Sequence, residues 1–350
     1  MGLKRARTTI ACAAALIASA CSTTDEPAPK PQALLDFEVA APSSGPTTTL
    51  NIPNFNVCAY TSDNGYEMIM DNVKVRRTGL NSWYYEPAVK WPDKPVTFMA
   101  VSPMDISINV NPYWHTTLNY RTDNGRTDLV IAVKAHAMQT DGRLRMNFCH
   151  TMAKVDISAE SAVPDTEVYL KEAMLYNVCV GGEFYFPDFS TTAGHPDIDG
   201  CWPYYITEQA HGMFPYYVAG EGRALRLTDR PQHIDNQGNI FLVPFTFAPL
   251  YENNGHITGS AIRLTCCFVS SVTGEKIWPD KDTPYQLLPN ADNRDWGYIF
   301  FPLQDDSGTR GWRPGMNYNY RLTILREGTL PGHSSRNAPG NTVAVETSRY

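Results

Sequence analysis

The decapeptide NYNYRLTILR, residues 317–326, decides the fold class. Tyr318, Tyr320, Leu322 and Ile324 alternate with Asn317, Asn319, Arg321 and Thr323. A period of two puts the apolar set on one face of an extended strand and the polar set on the other. Aromatic and β-branched residues suit that pleated, half-buried setting. The same alternation recurs outward along the chain. Leu35, Phe37 and Val39 alternate with Asp36 and Glu38, and Phe55, Val57 and Ala59 with Asn56 and Cys58. Val96, Phe98 and Ala100 follow a WPDKP turn, while DLVIAV (128–133) reads as a strand buried on both faces. Glu167–Val180, Asn239–Phe247, Ala261–Val269 and Tyr298–Pro302 are further strands. Almost no stretch holds a 3.6-residue period for more than two turns. The expectation is an all-β protein built of β-sandwiches.

A chain of 350 residues exceeds what one core usually serves. The break at HAMQTDGR (136–143) divides it into an N-terminal sandwich, 33–140, and a C-terminal sandwich, 141–350. Residues 181–238, rich in Gly, Pro and aromatics (GGEFYFPDFSTTAGHPDIDGCWPYY), read as a decorated loop insertion in the second.

Residues 1–20 are a signal peptide: Lys4, Arg5 and Arg7 precede a short apolar run that ends in Ala18-Ser19-Ala20. That run is too short for a transmembrane helix, which needs about 20 residues. Leu16-Ile17-Ala18-Ser19-Ala20-Cys21 resembles a bacterial lipobox, with cleavage between Ala20 and Cys21 and acylation of Cys21. An ordinary secretory signal with a chance cysteine is the alternative. Asp25 and Glu26 resemble an acidic surface-export signal, which points to the outer face of an outer membrane. The Pro-rich stretch 21–32 reads as an extended spacer.

Without the signal's three cations the net charge moves from −7 to about −10. An acidic chain with no basic cluster argues against nucleic acid and anionic lipid as partners. Beyond Cys12 and Cys21, six cysteines remain (Cys58, Cys149, Cys179, Cys201, Cys266 and Cys267), with no CxxC pair. They make no disulfide framework in so long a chain, and buried free thiols are the simpler reading. The scattered histidines offer no zinc spacing. The acidic turns at 197–200 and 305–308 lack calcium-loop spacing. No GxSxG or HExxH occurs. No catalytic residue, metal or cofactor is therefore assigned, and His150 in FCHTMAK reads as a hydrogen-bonded structural residue.

Three tracts in order resemble the fimbrillin family, the type V pilins and their relatives. They are WYYEPAVKWPDKPVTFMAVSP (83–103), LRMNFCHTMAKVDI (144–157) and WRPGMNYNYRLTIL (312–325). The resemblance implies two tandem transthyretin-like β-sandwiches behind a lipoprotein signal. It further implies a surface fimbrial subunit or anchor that assembles by donor-strand exchange and serves adhesion and biofilm formation. In that family a protease removes the first strand, and a neighbour's C-terminal segment fills the vacated groove. Leu35, Phe37 and Val39 match the removable strand. Val343 and Val345 in NTVAVE match the donor, although the same piece also suits an edge strand of its own domain. One departure bears on processing: no Lys or Arg lies between Lys30 and Lys74, so an Arg-specific protease has nothing to cut after the first strand. The partners implied are other fimbrial subunits, the outer membrane through the lipid, and host or bacterial surface glycans or proteins. Trp114, Trp202, Trp278, Trp296 and Trp312 beside turn residues keep open a monomeric glycan-binding lipoprotein, with core filling as the competing use of those rings.

Overall fold

The computed structural model describes residues 32–40, 52–61, 66–80, 82–111, 115–139, 142–187, 198, 200–202, 210–220, 223–235, 240–304, 308–328 and 341–350. The signal, Cys21, the spacer and the 41–51 segment lie outside them. Among the described residues the chain is all-β, with no α-helix and hence no helix that could cross a membrane.

The first eight strands are β1 (Phe37–Ala40), β2 (Asn54–Thr61), β3 (Glu67–Gly79), β4 (Ser82–Tyr84), β5 (Val96–Ser102), β6 (Thr117–Arg121), β7 (Val130–Ala137) and β8 (Leu144–His150). All but β6 join one sheet, in the order β1-β8-β7-β5-β2-β3-β4. Strand β8, which lies beyond the break at 136–143, thus pairs with β7 and lies parallel to β1.

The remaining strands are β9 (Ala153–Ser161), β10 (Thr166–Tyr185), β11 (Ala210–Val218), β12 (Leu225–Leu227), β13 (Gln232–His233), β14 (Ile240–Leu242), β15 (Tyr251–Asn253), β16 (His256–Thr258), β17 (Ala261–Ser270), β18 (Lys276–Trp278), β19 (Gly297–Pro302), β20 (Met316–Ile324) and β21 (Thr342–Arg349). A second sheet runs β11-β10-β17-β18, with β6 and β12 on β10 and β19 on β17. A third runs β13-β9-β20-β21, with β14 also on β9. β15 and β16 form a separate hairpin.

Two hydrophobic cores follow from the alternation. Phe55, Val57 and Ala59 of β2, Val96, Phe98 and Ala100 of β5, and Leu144, Met146 and Phe148 of β8 fill the first, on one face of the first sheet. The larger core lies between the second and third sheets. Val168, Leu170, Ile262 and Leu264 meet Val155, Ile157, Tyr320 and Leu322 there. Cys58, Met99, Val101 and Ile131, from the opposite face of the first sheet, join it. Both faces of β7 are therefore covered, with Val130, Ile131 and Ala132 all buried, as its continuous apolar run requires. In β20 the four residues Tyr318, Tyr320, Leu322 and Ile324 are all buried.

The loop reading of residues 181–238 gives way in part. Strand β10 runs on through Gly181-Gly182 to Tyr185, and β11, β12 and β13 all fall within the region. The paired glycines look like a turn, but Gly181 lies where β6 approaches so closely that a Cβ would sit 2.9 Å from the Tyr120 carbonyl oxygen. Only a residue without a side chain fits beside that backbone. Conversely, among the described residues of the 239–247 stretch only Ile240–Leu242 is strand, with Thr246 in an isolated bridge to Gly311.

All six remaining cysteines are free thiols, four of them buried and Cys149 and Cys267 half-buried. Burial raises the Cys58 and Cys179 pKa values to about 11 and that of Cys149 to about 12. The thiolate is the nucleophile, so at pH 8 a thiol of pKa 11 is reactive in roughly one molecule per thousand. Iodoacetamide at pH 8 is expected to leave these three unmodified in the folded protein and to label all of them in guanidinium. Mass spectrometry of tryptic peptides reads the difference.

Candidate functional site

The two strands singled out in the sequence lie near opposite ends of the chain, and each has its own mode of attachment. The segment 33–40, which ends in β1, is held on two sides. On one side it runs parallel to β8, Phe37 opposite Leu144 and Val39 opposite Met146, with the Leu144 amide donating to the Asp36 carbonyl at 2.7 Å. On the other side the Leu35 amide donates to Val89 and the Trp91 amide to Ala33, both at 2.9 Å. The Tyr85 hydroxyl donates to the Leu35 carbonyl at 2.8 Å.

The side chains of residues 35–39 explain the alternation of this segment. Leu35 and Phe37 are buried and Val39 is half-buried against the first core. The Phe37 ring meets Phe55 and Tyr85 edge-on, each with centroids 5.4 Å apart, the geometry that aromatic quadrupoles favour. Asp36 faces outward and pairs with Arg143, whose Nε reaches its Oδ2 at 2.7 Å. The same guanidinium donates to the Phe37 carbonyl at 2.8 Å.

β21 is an edge strand of the third sheet. It pairs antiparallel with β20 over its whole length, from Thr342 opposite Thr323 to Arg349 opposite Met316. Val343 and Val345 pack against the larger core but stay half-buried, while Ala344 and Glu346–Arg349 are exposed. Its two ends are tied down. Asn341 Oδ1 accepts the Leu325 and Arg326 amides at 2.8 and 3.1 Å. At the other end the Tyr350 amide donates to Gly315 and its hydroxyl to the Met152 carbonyl at 3.0 Å. The Tyr350 ring lies 4.3 Å from that of His150, and burial raises its phenol pKa well above the usual value.

His150 itself ends β8 with Nδ1 paired to Asp128 Oδ2. Burial raises the Asp128 carboxyl pKa, opposed by His150 and Lys154. The histidine is buried beneath Tyr350 and anchors the end of β21. Asn341, Tyr350, Tyr85 and the Asp36–Arg143 pair all escaped the reading of the sequence. Each acts on a partner 15 or more positions away, so no local pattern marks it.

Of the tryptophans beside turns, Trp202, Trp278 and Trp312 are buried, and Trp296 is half-buried beneath the Lys171 ammonium. Trp114, Ala20 and Cys21 lie outside the described residues.

The fimbrillin-like family model matches residues 44–225, just over half of the chain. Among solved structures the chain is similar to a fimbrilin of Porphyromonas gingivalis at 10% identity, covering 91% of this chain and 98% of that one, with a TM-score of 0.44. It is also similar to a C-terminally truncated tip fimbrial protein of Porphyromonas gingivalis at 14% identity, covering 85% and 94%, with a TM-score of 0.36. A candidate cell adhesion protein of Parabacteroides distasonis is similar at 10% identity, covering 90% and 96%, with a TM-score of 0.48. No curated protein matches. On the match over residues 44–225, the chain belongs to the fimbrillin-like family.

Proposed function

We propose that the protein is a structural subunit, or an anchor or accessory component, of surface fimbriae, assembled by exchange of terminal strands and serving adhesion and biofilm formation. Family membership supports a fimbrial or adhesion role at the cell surface. The observation that carries strand exchange is the segment ending in the four-residue strand β1: Phe37 of β1 and Leu35 just before it complete a core to which the rest of the first sheet already belongs. Removing such a strand opens backbone donors and acceptors on β8 together with an apolar slot, which a strand from another chain can fill. β21 supplies an edge strand with two aliphatic knobs at the other end of the chain. In this reading Cys21 carries the lipid that brings the chain to the outer membrane, between Ala20 cleavage and assembly.

Purified surface material is expected to run as ladders that survive mild heating in detergent, and deletion of residues 341–350 to abolish them. N-terminal sequencing separates a retained acylated Cys21 from a start between Ala41 and Thr49. A glycan-binding surface protein is the second reading. It draws on a row of rings on the outer face of the second sheet, Tyr176 and Phe300 at 5.9 Å and Phe300 and Tyr298 at 6.1 Å. Beside them opens a cavity of about 410 Å³ lined by Asn177, His211, Met213 and Thr258. A ladder-free monomer that binds polysaccharide overturns the fimbrial reading in favour of this one.

A further inference from the structure

We propose that the slot occupied by β1 selects a strand with an aromatic centre from a different subunit, and that it rejects this chain's own β21. The inference rests on the strand-exchange reading above and specifies its partner. The slot is shaped by what fills it now. Its central position holds a phenylalanine with no exposed surface, caged by Phe55 and Tyr85 at 5.4 Å. The position two before it buries a leucine, and the position two after it takes a valine. Between the first two, an acidic side chain meets Arg143 outside the slot.

β21 cannot reproduce that set in any register. Side chains on one face of a strand recur every second residue, so the alignment can shift only in steps of two. The best alignment sets Val343, Val345 and Thr347 against Leu35, Phe37 and Val39. It loses a methylene at the first position and most of a ring at the second, and it sets a hydroxyl at the half-buried third. A shift of two one way brings Val345, Thr347 and Arg349, and the other way Asn341, Val343 and Val345. The opposite face offers Ala344 and Glu346, which are worse still. The phenyl-sized void left beside Phe55 and Tyr85 has no way to close, because interiors pack near crystal density and relax only partly around a missing group. Arg143 also loses its carboxylate, since Ala344 stands where Asp36 does. In its own sheet β21 meets no such demand, as Val343 and Val345 rest half-buried on the surface of the larger core.

The occupant that fits is therefore a strand of the pattern aliphatic–acidic–aromatic–any–aliphatic, lying parallel to β8. Such a subunit joins unlike neighbours and does not build a homopolymer through this slot.

The test uses the full chain with a specific protease site placed within 41–51 and cut after folding, so that β1 stays in place by contacts alone. Labelled peptides of residues 33–40 and 341–350 then compete for the slot in guanidinium below the unfolding midpoint, read by fluorescence anisotropy. The 33–40 peptide is expected to bind, and the 341–350 peptide to bind at least about 100-fold more weakly. A 341–350 peptide carrying Ala344→Asp and Val345→Phe is expected to recover at least tenfold. A ratio below tenfold between the two natural peptides overturns the inference and favours self-assembly. Failure of the 33–40 peptide to enter overturns the strand-exchange reading beneath it.

Discussion

Phe37→Ala is expected to lower stability by about 3–5 kcal/mol. Phe37 has no exposed surface, and its ring touches Phe55 and Tyr85 edge-on. The loss has two parts: the transfer free energy of the ring atoms and the void they leave. The strands around β1 cannot move in to fill that void. β8 is tied to β7, and Tyr85 is tied to the Leu35 carbonyl. The check is guanidinium denaturation of the whole protein, with a lower midpoint and an unchanged slope. Asp36→Ala, at the outward-facing residue next to Phe37, is the matched control. Its partner Arg143 is substantially exposed, and exposed ion pairs contribute about 0–1 kcal/mol. Equal effects from the two substitutions would mean that β1 is not a core strand.

Trp312→Ala is expected to cost a comparable amount, about 3–5 kcal/mol, in the other core. Trp312 is fully buried, with Phe245 at 5.3 Å and Phe247 at 5.6 Å between ring centroids. Its indole Nε1 donates to the Tyr320 hydroxyl at 2.9 Å, and that hydroxyl donates to the Leu303 carbonyl at 3.3 Å. Alanine removes the volume, and the hydroxyl then loses its donor while keeping its acceptor. Trp312→Phe is therefore expected to cost clearly less, since most of the volume stays. Tyr320→Phe is the complementary change, because it leaves the buried indole N–H without an acceptor, a cost of about 1–3 kcal/mol. Denaturation midpoints of the three variants order these terms. A Trp312→Phe effect as large as that of Trp312→Ala would place the hydrogen bond above packing.

Alternation of side chains was the most legible property. In NYNYRLTILR the faces read from the letters are the faces that the fold buries, Tyr318, Tyr320, Leu322 and Ile324 inward. Leu35 and Phe37 behaved likewise. β3 escaped notice because its pattern is interrupted. Asn72 adopts a left-handed backbone at φ 50°, and the pairing with β2 shifts register beside it. The Asn72 side chain is spent on Asn56 and the Ile108 amide, both distant in sequence. Local reading fails at such a bulge because it moves later residues to the opposite face. The glycine pair at 181–182 failed for a related reason, since a close backbone approach and a turn favour the same residue.

The sequence by itself determined the all-β class, the inward face of most strands and the two terminal strands that stand as candidates for assembly. A period of two is a local property of a pleated backbone, and it is written in adjacent letters. Tertiary structure alone decided the partners. Nothing near Phe37 specifies that β1 lies parallel to β8, or that β20 lies parallel to β9 and antiparallel to β21. It also set the depth of each site, a closed aromatic slot for Phe37 and a shallow ledge for Val343 and Val345. Alternation marks which side chains point inward. How much room they find depends on residues that arrive from elsewhere in the chain, and that room is what separates one strand from another as a fit for the slot.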